Sequence, residues 1–250
     1  MAIKAEVYVW QHYWGELLHN DSEQTRLYGF ENESAEFIKH QQATITGAGT
    51  CFGFVAKGEV ACKNDEIHWV IKQDQWFCIP ALFDMQLNPE TRVVILQALN
   101  FQGLYSMGGP IETHGRLRYI DGCSDTLLCA PPLLGDPCLN LLHFPPGIQQ
   151  TQHTHPSLRA GIIAKGLGLC VTKQAEIPLS AGMLFYLPKE TEHGFITTTE
   201  AMDVIAYHPD SDWGPTHQQH PMVNRTWVDG HKIDNVGERH QSAEIIQGRS

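Results

Sequence analysis

Across two stretches of the chain, Gly47 to Pro80 and His155 to Pro188, short β-branched and aromatic runs alternate with glycine, and apolar stripes at helical spacing are hard to find. Alternation with a period of two marks strands that bury one face. The chain is therefore expected to be all-β, built from many short strands. Helix is expected only in short pieces, the best candidate being Ser34 to Gln42, which opens at a serine cap and carries Phe37 and Ile38 on one side.

The two stretches repeat one another. At a fixed offset of 108 residues Ala56-Lys57-Gly58 falls on Ala164-Lys165-Gly166, Cys62 on Cys170, Phe77 on Phe185 and Pro80 on Pro188, without a gap. A common register that keeps a turn glycine and a strand-end proline points to duplication of one structural unit. Each unit needs roughly 80 to 100 residues, a workable size for a small barrel. The divide is expected near Gly108-Gly109-Pro110 or in the proline-rich stretch Ala130 to Pro137. This gives a first barrel over residues 1–110, a second over 111–210, and a polar, irregular extension over 211–250.

Composition narrows the partners. With 28 acidic against 17 basic residues the formal net charge is -11, and no basic cluster can follow a phosphate backbone, so nucleic acid is not an expected partner. Met1 to Val9 lacks the basic and apolar runs of a secretory signal, and no segment reaches membrane-spanning length, so the expected location is cytoplasmic, away from membranes. Seven cysteines without a CxxC pair suit a reducing compartment and read as small core residues. Sheet edges make a homodimer the expected assembly.

Candidate chemistry lies in the second repeat. His153 and His155 stand two apart after Gly147, and on an extended strand such a pair projects from one face. His193, just after Gly182 to Pro188 and its turn, offers a third imidazole. Three neutral imidazoles suit iron, zinc, copper or nickel. The alternative reading of the first two, polar residues on an exposed strand, weakens once His193 stands in register.

These residues resemble the cupin superfamily, whose motifs are G-x5-H-x-H-x3,4-E-x6-G and G-x5-P-x-G-x2-H-x3-N: Gly147, His153, His155, Gly182, Pro188 and His193 all match. The resemblance implies two tandem cupin barrels (double-stranded β-helix, or jelly-roll) with one three-histidine metal site. Two departures stand out. Arg159 or Ala160 occupies the place of the family's glutamate ligand, and Glu190 and Thr197 replace the glycine and asparagine of the second motif. Loss of the carboxylate leaves a neutral ligand set and resembles the three-histidine cupin dioxygenases, with Fe(II) the favoured ion and Zn, Mn, Ni or Cu the alternatives. Arg159 is expected to clamp a substrate carboxylate or enolate, a surface ion pair being its equally weighted alternative. Tyr186 is a candidate donor to substrate, although packing is the commoner fate of such a residue, and Glu190 and Glu192 are candidate proton carriers. His143 reads as a packed residue. His208, His217 and His220, among Asp210, Asp212 and Trp213, read as an interface or solvated loop.

Projected back by 108 residues, the ligand positions hold Ile45, Gly47 and Met85, Arg159 maps to Cys51 and Gly182 to Asp74, while Gly53 and Gly58 keep the places of Gly161 and Gly166. The first unit is expected to keep the scaffold without the metal. Three functions follow: a mononuclear iron dioxygenase acting on a small oxygenated organic substrate, a non-redox isomerase or lyase of a sugar or keto acid, or a small-molecule-binding protein without turnover.

Overall fold

The computed structural model describes residues 7–31, 41–103, 105–216 and 226–232. Strands dominate, and the one helical element among the described residues is a 3-10 turn at Ile120–Gly122. The helix expected over 34–42 lies outside the described residues except at Gln41 and Gln42, and Gln42 opens the strand Gln42–Ile45. No helix among the described residues is long and apolar enough to cross a membrane.

Among the described residues the strands form a six-stranded and a four-stranded sheet in the first half, a nine-stranded sheet in the second, and a separate hairpin of Trp227–Val228 with His231–Lys232. In the first half a six-stranded sheet has the spatial order Ser106–Gly108, Trp76–Pro80, Thr50–Lys57, Arg92–Ala98, Thr25–Glu31, Trp14–Asn20, and a four-stranded sheet runs Gln42–Ile45, Phe83–Leu87, Glu59–Lys63, His68–Lys72. In the second half the large sheet runs from Leu184–Leu187 through Arg159–Thr172, Met202–His208, Cys138–Phe144 and Ser124–Cys129 to Leu117–Arg118. The far end of Arg159–Thr172 pairs in addition with Glu176–Ser180 and His193–Ile196.

Pairing reproduces the repeat residue by residue. Gly53 lies opposite Phe77 as Gly161 lies opposite Phe185, and Cys62 opposite Trp69 as Cys170 opposite Ile177. Gly58 and Gly166 share a left-handed φ, 72° and 74°. At that point the first half breaks one strand into two, and the second half bends a single 14-residue strand from one sheet into the other. A Cβ on Gly166 would meet the Ala201 carbonyl oxygen at 1.8 Å, so both the conformation and the close approach of backbone require glycine.

Both faces of each large sheet are buried. Cys51, Val55, Phe77 and Ile79 pack inside the first half, while Ile163, Phe185, Val204 and Phe195 pack inside the second. The opposite faces meet each other: Phe52, Phe54 and Leu96 share one core with Leu139, Leu141, Ile162, Ile205 and Tyr207. Stacked sheets bury alternate residues in this way. The expected divide near residue 110 is crossed by Tyr8–Trp10, which pairs with Leu184–Tyr186 and covers the edge of the second large sheet. The strand Tyr8–Trp10 thus belongs to the second sheet, although it lies within residues 1–110.

Candidate metal centre

His153 and His193 are direct cross-strand partners, joined by His153 N–H to the His193 carbonyl at 2.9 Å and the reciprocal bond at 3.0 Å. His155 follows on the same face, and the Glu190 N–H holds its carbonyl at 2.8 Å. Glu190 has φ 60°, so the left-handed turn for which the family motif uses glycine is kept here by a glutamate. The ring centroids of His153, His155 and His193 stand 4.8 to 5.3 Å apart, and one donor atom from each lies within 4.8 Å of the others.

The hydrogen bonds suit a ligand set. Nδ1 of His153 donates to the Thr151 carbonyl and Nδ1 of His193 to that of Thr191, each at 2.8 Å, which leaves both Nε2 lone pairs for a cation. Burial pushes the pKa of His155 down to about 3, helped by the charge of Arg159 and then by His193 and His153. Burial likewise lowers His193 to about 4, against the opposing bond to Thr191 and with added repulsion from His153 and Arg159. Both rings are therefore neutral at pH 7, the state in which imidazole binds metal.

The triad opens into a cavity of about 50 Å³ walled by Phe144, Phe185, Leu187, Phe195 and Val204. That is several times the roughly 10–15 Å³ that a single water needs. Arg159 lines it and is 7% exposed, with Nη1 donating to Ser157 Oγ at 2.6 Å and to the Leu158 carbonyl at 2.8 Å. Its Nε is buried without a partner, and Asp210, 3.9 Å from Nη1, is the facing counter-charge. The expected surface ion pair is thus not its setting.

Four further polar residues line the cavity that motif reading missed: Asp125, Tyr119, Gln150 and His208. Asp125 Oδ2 accepts from Asn140 Nδ2 at 2.8 Å, and its Oδ1 is buried without a partner. Burial raises the pKa of Asp125, with Asn140 and the Thr126 amide pulling it back, and burial also raises that of Tyr119. His208 was expected in an interface loop; it closes the strand Met202–His208, and burial together with the charge of Arg159 holds it neutral. The one sequence signal for this wall is Asn140, a lone amide in the otherwise apolar run Cys138-Leu139-Asn140-Leu141-Leu142.

Two candidates are elsewhere. Tyr186 points into the core between the large sheets, its hydroxyl accepting from Asn20 Nδ2 at 2.9 Å, while its neighbour Phe185 faces the cavity. Alternation could not choose between them because both faces of that strand are buried. Glu192 is ion-paired with Lys173 on the outer side of the turn. Neither lines the cavity. Among the other histidines, His143 bonds Asp203 on the opposite face of the sheet, and His217 and His220 lie outside the described residues.

Pairing also corrects the projected third ligand position. Ile45 lies opposite Phe83, as His153 lies opposite His193, so Phe83 and not Met85 stands at the place of His193. The turn after Pro80 has two residues before Phe83, whereas the turn after Pro188 has four before His193, and this shifts the register by two.

Residues 140–208, which contain all three histidines, match the family model described as a cupin domain. The chain has the cupin fold. Among solved structures similar to it are a cupin 2 conserved barrel domain protein from Leptotrichia buccalis, with a TM-score of 0.55, 13% identity, and 84% of this chain and 92% of that one covered. A salicylate 1,2-dioxygenase from Pseudaminobacter salicylatoxidans gives 0.56 at 11% identity, over 84% and 85% of the two chains. AerE from Microcystis aeruginosa gives 0.51 at 12% identity, over 74% and 87%. At these identities the likeness is one of fold. No curated protein is matched by the sequence.

Proposed function

We propose that this cupin is a mononuclear metal enzyme of the dioxygenase type, acting on a small oxygenated organic acid, with His153, His155 and His193 holding Fe(II). The observation that carries the reading is a neutral three-imidazole donor set without a carboxylate, opening into an apolar cavity that also holds a buried arginine. A neutral set would leave a divalent ion its full charge and open positions, and iron held there would relay electrons from the substrate to dioxygen. The likeness to a salicylate 1,2-dioxygenase agrees with this class.

The protein's own groups then have defined tasks. Thr151 and Thr191 carbonyls fix the ligand rings. Arg159, desolvated and with Nε free, binds the substrate carboxylate, and the phenylalanines exclude bulk water so that this contact is strong. Asp125, shifted toward its protonated form, can donate to or accept from a substrate oxygen through Oδ1. The first unit serves as scaffold, since Ile45 and Phe83 fill the space where two of the ligands would stand.

A non-redox isomerase or lyase is the second reading, and Asp125 is the observation that favours it, because Tyr186 and Glu192 do not reach the cavity. Oxygen uptake separates the two. Protein purified anaerobically and loaded with iron should consume dioxygen with some member of a panel of hydroxybenzoates, β-diketones, catechols and thiols. Metal-dependent turnover without uptake would replace the first reading by the second.

A further inference from the structure

We propose a second metal site, formed by His114 and His143 and backed by Asp203, that takes a divalent transition ion preferring imidazole, such as Zn²⁺, Cu²⁺ or Ni²⁺. It lies on the face of the second large sheet opposite to the triad. There, Ser124, His143, Asp203 and Lys165 stand in register across four neighbouring strands, a polar row at one end of an otherwise apolar face. Lys165 turns to Asp74 of the first half at 3.0 Å, and the Asp203 carboxylate accepts from His143 Nδ1 at 2.6 Å.

His143 and Asp203 are each 7% exposed. Placing the proton on Nδ1 leaves the Nε2 lone pair of His143 for a cation, and a carboxylate behind an imidazole is the support that metal-bound histidines ordinarily carry. The ring of His114 stands over that of His143, with centroids 4.9 Å apart at 52°. The triad supplies an internal yardstick: His153 and His193 are 4.8 Å apart at 48°. Nδ1 of His114 is within 3.0 Å of Thr113 Oγ, so its Nε2 is the ring nitrogen left over. Among the described residues no hydrogen bond is made by Nε2 of either ring.

Two protein donors leave the remaining positions to water, so the ion binds more weakly than at the triad. It ties the segment after Gly109-Pro110 to the strand Cys138–Phe144 and thereby fastens the connection between the two halves.

Full-length protein carrying His153→Ala, His155→Ala and His193→Ala is titrated with Cu²⁺ by calorimetry and electron paramagnetic resonance. One equivalent should bind, with nitrogen hyperfine structure from two imidazoles. Adding His114→Ala, an exposed change that leaves the thermal transition in place, should weaken that ion at least tenfold and remove the pattern. No bound copper in the triad variant, or equal binding after His114→Ala, overturns the proposal. Should the triad variant not fold, the test moves to the otherwise native chain: His114→Ala should lower the copper stoichiometry from two to one, and an unchanged stoichiometry overturns the site.

Discussion

The two halves of this chain share strand order, pairing and a bend at Gly58 and Gly166, yet only one presents a ligand set. The difference comes down to few atoms. In the first half Ile45 and Phe83 face each other, fully buried, within an apolar core; in the second, the same cross-strand position is the pair His153 and His193 beside a cavity. The turn that delivers the third ligand is two residues longer in the second half. Position within a barrel is thus inherited from the fold despite the change in turn length, and chemistry is set by which residue stands at that position.

The largest expected effect tests the residue at that position. His193→Phe gives the second half the residue that the first half carries opposite Ile45, and iron content by elemental analysis should fall by at least 100-fold while the circular dichroism of the strands persists, matching the loss caused by the triple alanine variant. Removing two residues from Lys189–Glu192 gives the turn the length it has in the first half, where the residue directly after it stands at the ligand position, so His193 should stay opposite His153 and keep the metal. Retention of metal by the phenylalanine variant would show that this position does not decide the difference.

Next in size is the joint between the halves. Phe52 is 1% exposed and packs against Tyr207 and Phe101 with ring centroids 5.4 and 6.1 Å apart. Phe52→Ala should cost about 3–5 kcal/mol. Because the core is common to both large sheets, thermal unfolding should remain one transition shifted downward; two separated transitions would mean that the halves are energetically independent.

A smaller effect follows from pH. His155 and His193 have pKa values lowered to about 3 and 4 in the folded protein, below the roughly 6.5 of an unfolded chain. The unfolded state therefore takes up protons that the native state refuses, and the stability of the metal-free protein, full above pH 6.5, should fall as pH drops toward 4. Metal release should likewise have its midpoint well below 6.5. A midpoint near 6.5 would show the triad to be as exposed as free histidine. The first half has no such groups at its corresponding positions, so replacing the triad should remove this part of the pH dependence.

The smallest effect is expected at Tyr186. Tyr186→Phe removes one hydrogen bond, to Asn20, worth about 0.5–1.5 kcal/mol, and should leave metal content and any turnover unchanged. Cys78, its counterpart in the pairing of the first half, faces the same shared core. A change in turnover with intact metal would mean that Tyr186 reaches the substrate.

Much of this was legible in the chain. The 108-residue offset anticipated paired positions as specific as Gly53 with Phe77 and Gly161 with Phe185, because each glycine makes room for the aromatic ring or backbone packed on it. The spacing of His153, His155 and His193 within the motif was enough to bring the three rings together. Fixed-offset reasoning failed after Pro188, where a turn changes length without leaving a trace in the matches before it. Alternation failed at Phe185 and Tyr186, since it separates two faces but cannot say which one is a cavity when both are buried.

What the sequence by itself determined is the strand content, the repeated strand pattern and the grouping of the three histidines, for all of these rest on local periodicity and short spacings that survive in one dimension. The tertiary structure alone decided the rest. Asp125, Tyr119 and His208 join Arg159 around the cavity because sheet pairing gathers residues separated by up to 89 positions, and their desolvation depends on the apolar walls supplied by other strands. The place of Phe83, the core between the halves and the pairing of His114 with His143 are likewise properties of packing, which no spacing along the chain encodes.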